Sequence, residues 1–79
     1  TGIYNMTTLT NNEAKTISPG VYAFSVTGPL TLQWFRVSSF VTLSEGVFAG
    51  ASDGIIELPE TTIKAISAGA NSITLTKVR

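Results

Sequence analysis

The sequence predicts an all-β domain: a small antiparallel β-sandwich or barrel, Greek-key or jelly-roll-like, of seven or eight short strands. Three observations predict it. β-Branched residues dominate, with twelve Thr, seven Ile and six Val, and their restricted χ1 angles suit a pleated sheet. No stretch of about eleven or more residues spaces its apolar positions for a helix. Turn residues also recur at short intervals along the chain, as they do in sandwiches.

In chain order, Ile3–Thr10 mixes apolar and Thr positions and reads as a first strand or an extended arm. Residues 11–16 fit one helical turn. Ser18-Pro19-Gly20 is a turn, because Pro presets φ and Gly accepts a positive φ. Val21–Thr27 is a strand with Tyr22, Phe24 and Val26 on one face. After Gly28-Pro29, Leu30–Val37 sets Leu30, Leu32 and Trp34 on one face and Thr31, Gln33 and Phe35 on the other. The two strands are expected to pair as a hairpin. Ser38–Ser44 is a further strand, broken by Glu45-Gly46, and Asp53-Gly54 is a strong turn signal. Ile55–Leu58 is a short strand stopped by Pro59. Thr62–Ser67 and Ser72–Val78 follow, joined by Ala68–Asn71. The stretches Pro19–Gly28 and Pro59–Gly69 echo one another, as if two similar hairpins formed two sheets.

A chain of 79 residues is one domain, spanning 1–79, and should fold to about 4,600 Å² of surface. At this size a core alone stabilises weakly, and small domains add disulfides, a metal or a partner subunit. The chain has no Cys and no His, which removes disulfides and the usual zinc ligands. Its five carboxylates are scattered, so no cofactor or metal is expected, and contact with neighbours remains as the extra support.

Five basic residues balance five acidic ones. No basic stripe exists to drive nucleic-acid binding. No apolar run is long enough for a membrane-crossing helix. Thr1–Asn5 lacks the charged start and apolar stretch of a secretion signal. Charged residues make up only 13% of the chain and mean hydropathy is +0.30, which leaves large neutral surfaces suited to contact with other surfaces.

Catalytic equipment is sparse. Eight Ser have no His as base, and nothing in the spacing of Lys15, Lys64 and Lys77 recommends a Ser–Lys dyad. Glu57 and Glu60 flank Pro59 at a turn, which reads as a solvated loop edge. Gly46, Gly50 and Gly54 recur every four residues, without the Lys-Ser/Thr of a phosphate loop. No enzyme is expected. Trp34 and Phe35 are adjacent on a strand and therefore point to opposite faces, so one ring fills the core and the other needs a cover. Trp34, Phe35, Arg36, Phe40 and Phe48 are the candidate interface residues, since aromatic and Arg side chains are enriched at binding hot spots. Thr-rich strand faces stay soluble without charge, and an unguarded edge can be completed by a neighbouring chain.

The second half carries Leu30-Thr31-Leu32-Gln33-Trp34, Gly54-Ile55-Ile56-Glu57-Leu58-Pro59, Ile63-Lys64-Ala65-Ile66-Ser67-Ala68-Gly69 and Ile73-Thr74-Leu75-Thr76-Lys77-Val78-Arg79. These segments resemble small tailed-bacteriophage virion proteins of the capsid decoration (cement) type, with Glu60 where that group has Gly. The resemblance implies a structural protein on the outer capsid surface of the virion, assembled in the host cytoplasm. It implies homotrimers between capsomers that stabilise the shell by binding the assembled major capsid protein. Thr1–Thr16 is then an arm to a neighbour or an ordinary first strand. The other reading of the residues is a non-catalytic carbohydrate- or receptor-binding module of a tail or fibre, with Trp34 as stacking platform.

Overall fold

The computed structural model describes residues 6–79, which form eight strands: β1 (Met6–Thr10), β2 (Ala14–Ile17), β3 (Gly20–Val26), β4 (Leu30–Arg36), β5 (Ser39–Phe48), β6 (Ser52–Leu58), β7 (Thr61–Ile66) and β8 (Ser72–Lys77). They make two four-stranded antiparallel sheets with orders β1-β8-β3-β6 and β2-β7-β4-β5. This is jelly-roll order. Strand β4 pairs with β5, β3 with β6, β2 with β7 and β1 with β8. The chain is therefore one long hairpin ribbon, turned at Val37-Ser38 and rolled up. Contacts of β3 with β8 and β4 with β7 close the roll.

Period-two alternation groups the side chains by face, and the structure shows which face is inward. Tyr22, Val26, Leu30, Leu32, Ile73 and Leu75 are buried, and Phe24 and Trp34 pack against them. Both sheets contribute to one core, with Leu9, Leu32, Ile63, Ile73 and Leu75 fully covered. The accessible surface is 4590 Å², the value expected for the chain length.

Five expectations change. Val21–Thr27 and Leu30–Val37 do not form a hairpin: β3 and β4 lie in different sheets. Thr27–Pro29 carries the chain around a corner, and the echoed stretch after Pro59 does the same from β7 to β8. The two similar segments are thus corner crossings. Residues 11–16 form no helical turn. Asn12 takes φ 67° in a tight turn, and the Glu13 main chain starts the crossing into β2. Asp53-Gly54 is no turn either but lies inside β6, opposite Ser25 and Phe24. A Cβ on Gly54 would sit 3.0 Å from Phe24 Cζ, so the glycine makes room for a ring. The breaker at Glu45-Gly46 falls on a bulge within continuous β5, where Leu43–Gly46 bows out between the pairs Gln33–Thr42 and Thr31–Val47. Of the arm Thr1–Thr16, residues 1–5 lie outside the described part; Met6–Thr10 is an edge strand of one sheet and Ala14–Thr16 belongs to an edge strand of the other.

Polar groups hold the corners and tie two of them together. Asn11 Oδ1 accepts from Ser67 N at 2.8 Å, and Ser67 Oγ donates to the Pro29 carbonyl at 3.1 Å. Asn71 Nδ2 donates to Pro29 O and Ser67 Oγ. Buried Ser67 is thereby satisfied, as its burial requires. At the next corner the Tyr22 hydroxyl donates to Ser18 O at 2.7 Å, and burial raises its pKa. Glu13 Oε1 accepts from Thr10 N and Thr10 Oγ1, and these bonds, with Lys15 nearby, hold its carboxyl below the ordinary range.

Val37 occupies φ 62° and Ser38 N donates to Arg36 O at 2.7 Å, the pattern of a γ-turn with positive φ at its centre, which is strained for a β-branched residue. Val37→Gly should raise stability by about 1 kcal/mol in urea titration. Gly46→Ala puts a Cβ 2.8 Å from Leu32 O and should cost about 1–3 kcal/mol in the same measurement. Glu13's lowered pKa favours the fold above the ordinary carboxylate pKa, and that gain is lost as pH falls through the lowered value. A stability profile from pH 7 to 2.5 should therefore fall more steeply for the native chain than for Glu13→Gln.

Candidate functional site

The β4–β5 hairpin carries most of the sequence's candidate residues, and alternation divides them between its two faces. Trp34 follows Leu30 and Leu32 inward and is half-buried at the mouth of the sandwich. Arg36, two residues on, lies on the same side with its guanidinium 4.7 Å from the Trp34 ring centroid. Val41 is Trp34's cross-strand partner. With Leu43, Glu45 and Glu57 these residues line an open depression. A second depression shares Trp34 and is bounded by Pro19, Leu58 and Pro59.

On the outer face of the same hairpin, Phe35 and Phe40 are cross-strand partners whose rings meet edge-on, with centroids 5.3 Å apart and planes at 73°. The Lys64 amine lies 5.2 Å from the Phe40 centroid. Thr61 Oγ1 donates to Phe35 O at 3.0 Å, which ties β7 to β4 beside the ring pair. Phe48 turns inward and packs on Phe24 across the sandwich, with centroids 5.0 Å apart. The five candidates therefore separate into Trp34 with Arg36 at the mouth, Phe35 with Phe40 outside, and Phe48 in the packing.

Sequence reasoning missed the valines. Val37 is 98% exposed, Val47 63% and Val41 45%, and with Phe35 at 42% they put four large exposed apolar residues on one hairpin. Val41 and Val47 carried a signal, since Phe40-Val41 and Val47-Phe48 are adjacent apolar pairs, and neighbours on a strand face opposite ways. Val37 carried none, because a Val between Arg36 and Ser38 reads as strand and not as the centre of a turn.

The outer face of the other sheet is a hydroxyl surface. Thr8 and Thr74 oxygens lie 3.3 Å apart, and Ala23, Ser25, Thr74, Thr76 and Ile55 line a third shallow depression there. Among the described residues, the ion pair is Lys15–Glu13 at 3.7 Å, and no three His, Cys, Asp or Glu side chains gather to hold a metal. Lys15 Nζ donates to the Thr8 main-chain oxygen. The arrangement offers apolar and aromatic contact area with few charges. No family model, no curated protein and no solved structure matches the chain.

The guanidinium covers the face of the single Trp, which gives a direct readout. Arg36→Ala should make Trp34 fluorescence more quenchable by acrylamide and lower stability by about 0.5–1 kcal/mol, the range of an exposed cation–π contact. Unchanged quenching would mean that the guanidinium does not shield the ring.

Proposed function

We propose that this protein is a non-catalytic structural module of a virion, a decoration protein that docks on the outer capsid surface between capsomers and stabilises the shell, as homotrimers. The observation that carries this reading is the exposure of Phe35, Val37, Val41 and Val47 along one hairpin of a neutral sandwich, with Val41 on the Trp34 face and Phe35 on the other. A lone apolar residue on a surface is ordinary, whereas a clustered set marks a contact site. The Phe35–Phe40 pair supplies rigid rings, and Val37 projects from the turn beyond them. Such a body spans two coat subunits without moving. Because it binds the assembled lattice and not dispersed subunits, each bound copy favours the closed shell by mass action.

The carbohydrate-binding alternative relies on Trp34 as a platform. The geometry weighs against it, since Arg36 lies over the ring and core side chains pack against the indole.

Purified protein should co-sediment, at saturating fixed stoichiometry, with empty shells of the coat protein encoded beside its gene, and should raise their disruption temperature. Phe35→Ala keeps the fold, because Phe35 is 42% exposed, and should weaken shell binding about tenfold, or about 1.4 kcal/mol. No sedimentation with shells at any concentration, or a neighbouring gene set without a coat protein, would sink the reading.

A further inference from the structure

The four sheet edges are guarded unequally. Strand β2 has four residues, and Lys15 lies on its inward side, in register with buried Ile63, with its side chain at the open margin between the sheets. The Lys15 amine also caps the main-chain oxygen of Thr8 on β1 at 3.0 Å. One lysine therefore blunts both edges on that side, by the inward-pointing charge that edge strands use against pairing. On the other side, β6 carries Asp53 and Glu57. An antiparallel self-pairing centred on its middle residue, Ile55, would set Asp53 opposite Glu57 of the second copy, and like charges directly opposite destabilise a sheet.

Over Ser39–Thr42, strand β5 has no such guard; its bulge at Leu43–Gly46 and its one charge, Glu45, lie beyond that stretch. It is the longest strand, with ten residues, and Ser39–Ser44 has no charge. Hydrogen-bonded and non-hydrogen-bonded pairs alternate along an antiparallel ladder. The two-residue turn is closed by Arg36 and Ser39, so Trp34–Val41 is the next bonded pair, and Phe35–Phe40 and Gln33–Thr42 are the non-bonded ones. The main-chain N–H and C=O groups of Phe40 and Thr42 are thus directed away from β4, along the free edge.

We infer that β5 pairs with β5 of a second copy, antiparallel about a two-fold axis at Val41. In that register Phe40 faces the partner's Thr42 and Thr42 faces the partner's Phe40. Each pair exchanges two main-chain hydrogen bonds, using the groups that β4 leaves free. Val41 faces its own copy, so an isologous contact requires a neutral residue there, and Val41 is apolar and 45% exposed. The same register carries Glu45 of each copy toward the other's turn, where Arg36 is the nearest cation, and neither residue belongs to the Lys15–Glu13 ion pair. Two sheets of four strands become one of eight, and both copies keep the outer face with Phe35 available. The contact is separate from the proposed three-fold arrangement on the shell: it makes dimers of the free chain and couples trimers where both form.

Multi-angle light scattering at about 100 μM should give a mass of an even number of chains. The absence of native cysteine allows a sharper probe. Opposed residues of a non-bonded antiparallel pair have Cα atoms about 4.5 Å apart, within disulfide range. Val41→Cys should therefore oxidise to a disulfide-linked dimer at least tenfold faster than Ile55→Cys, a comparably exposed control on β6. Thr42→Pro removes an outward-directed N–H, which an edge strand tolerates, together with the exposed hydroxyl that accepts from Gln33 Nε2 at 3.4 Å, and should halve the mass, whereas Thr42→Val, which removes that hydroxyl alone, should leave the mass unchanged. Arg36→Glu should weaken the dimer, and Arg36→Glu with Glu45→Arg should restore it. A monomer or plain trimer for the native chain, or equal cross-linking at positions 41 and 55, would overturn the two-fold contact. Shell binding by a protein that fails these tests would leave the proposed function standing, and an even-numbered oligomer that ignores shells would do the reverse.

Discussion

The ladder that pairs the chain with itself around Val37-Ser38 is the constraint on which the rest of the structure depends. Once β4 and β5 are joined at that turn, the pairings of β3 with β6, β2 with β7 and β1 with β8 extend the same two-stranded ribbon outward. Each corner must then bend both strands together. The corner residues come in matched sets: Asn11 with Ser67 and Asn71, Pro19 with Pro59, Pro29 with Gly50. Only β4–β5 is a local hairpin, and the remaining pairs join residues ever further apart in sequence. Loop-closure cost is lowest at the hairpin, so it is the natural place for pairing to begin.

Rolling the ribbon decides what each face and edge is for. It buries the inward rows in one core and stacks β1 over β2 on one side and β5 over β6 on the other. The first side is short-stranded and tied by Lys15. The second is long-stranded and bulged at Leu43–Gly46, with Asp53 and Glu57 on β6 and an uncharged Ser39–Ser44 on β5. The apolar contact area and the open ladder groups therefore lie on the same hairpin that starts the ribbon. Strain at Val37 fits this picture: a valine held at φ 62° and almost wholly exposed contributes little to the free chain's own packing.

Some of this was legible in the residues. Alternation set Tyr22, Phe24 and Val26 on one face of their strand and Leu30, Leu32 and Trp34 on one face of theirs, the structure turns both faces inward, and the opposite directions of Trp34 and Phe35 followed from adjacency. Pro19, Gly28-Pro29 and Pro59 interrupt strands as read, whereas Glu45-Gly46 and Asp53-Gly54 lie within continuous strands. Gly28-Pro29 turns a corner between sheets, where a hairpin was expected, because a corner and a hairpin use the same turn residues. Gly54 was read as a turn because its real cause, the ring of Phe24 on another strand, is invisible locally. Phe48 was grouped with the interface rings for the same reason: its partner, Phe24, is in the other sheet.

By itself the sequence determined the class of the fold, the strand faces, the neutral surface, and the lack of cysteine and histidine. These follow from residue type and from a period of two, which are properties of neighbours along the chain. Only the tertiary structure decided which strands adjoin, which edges are blunted, where Val37 turns and which aromatic rings meet. Those depend on pairings between residues far apart in sequence, and alternation states which way a side chain faces but not what lies across from it.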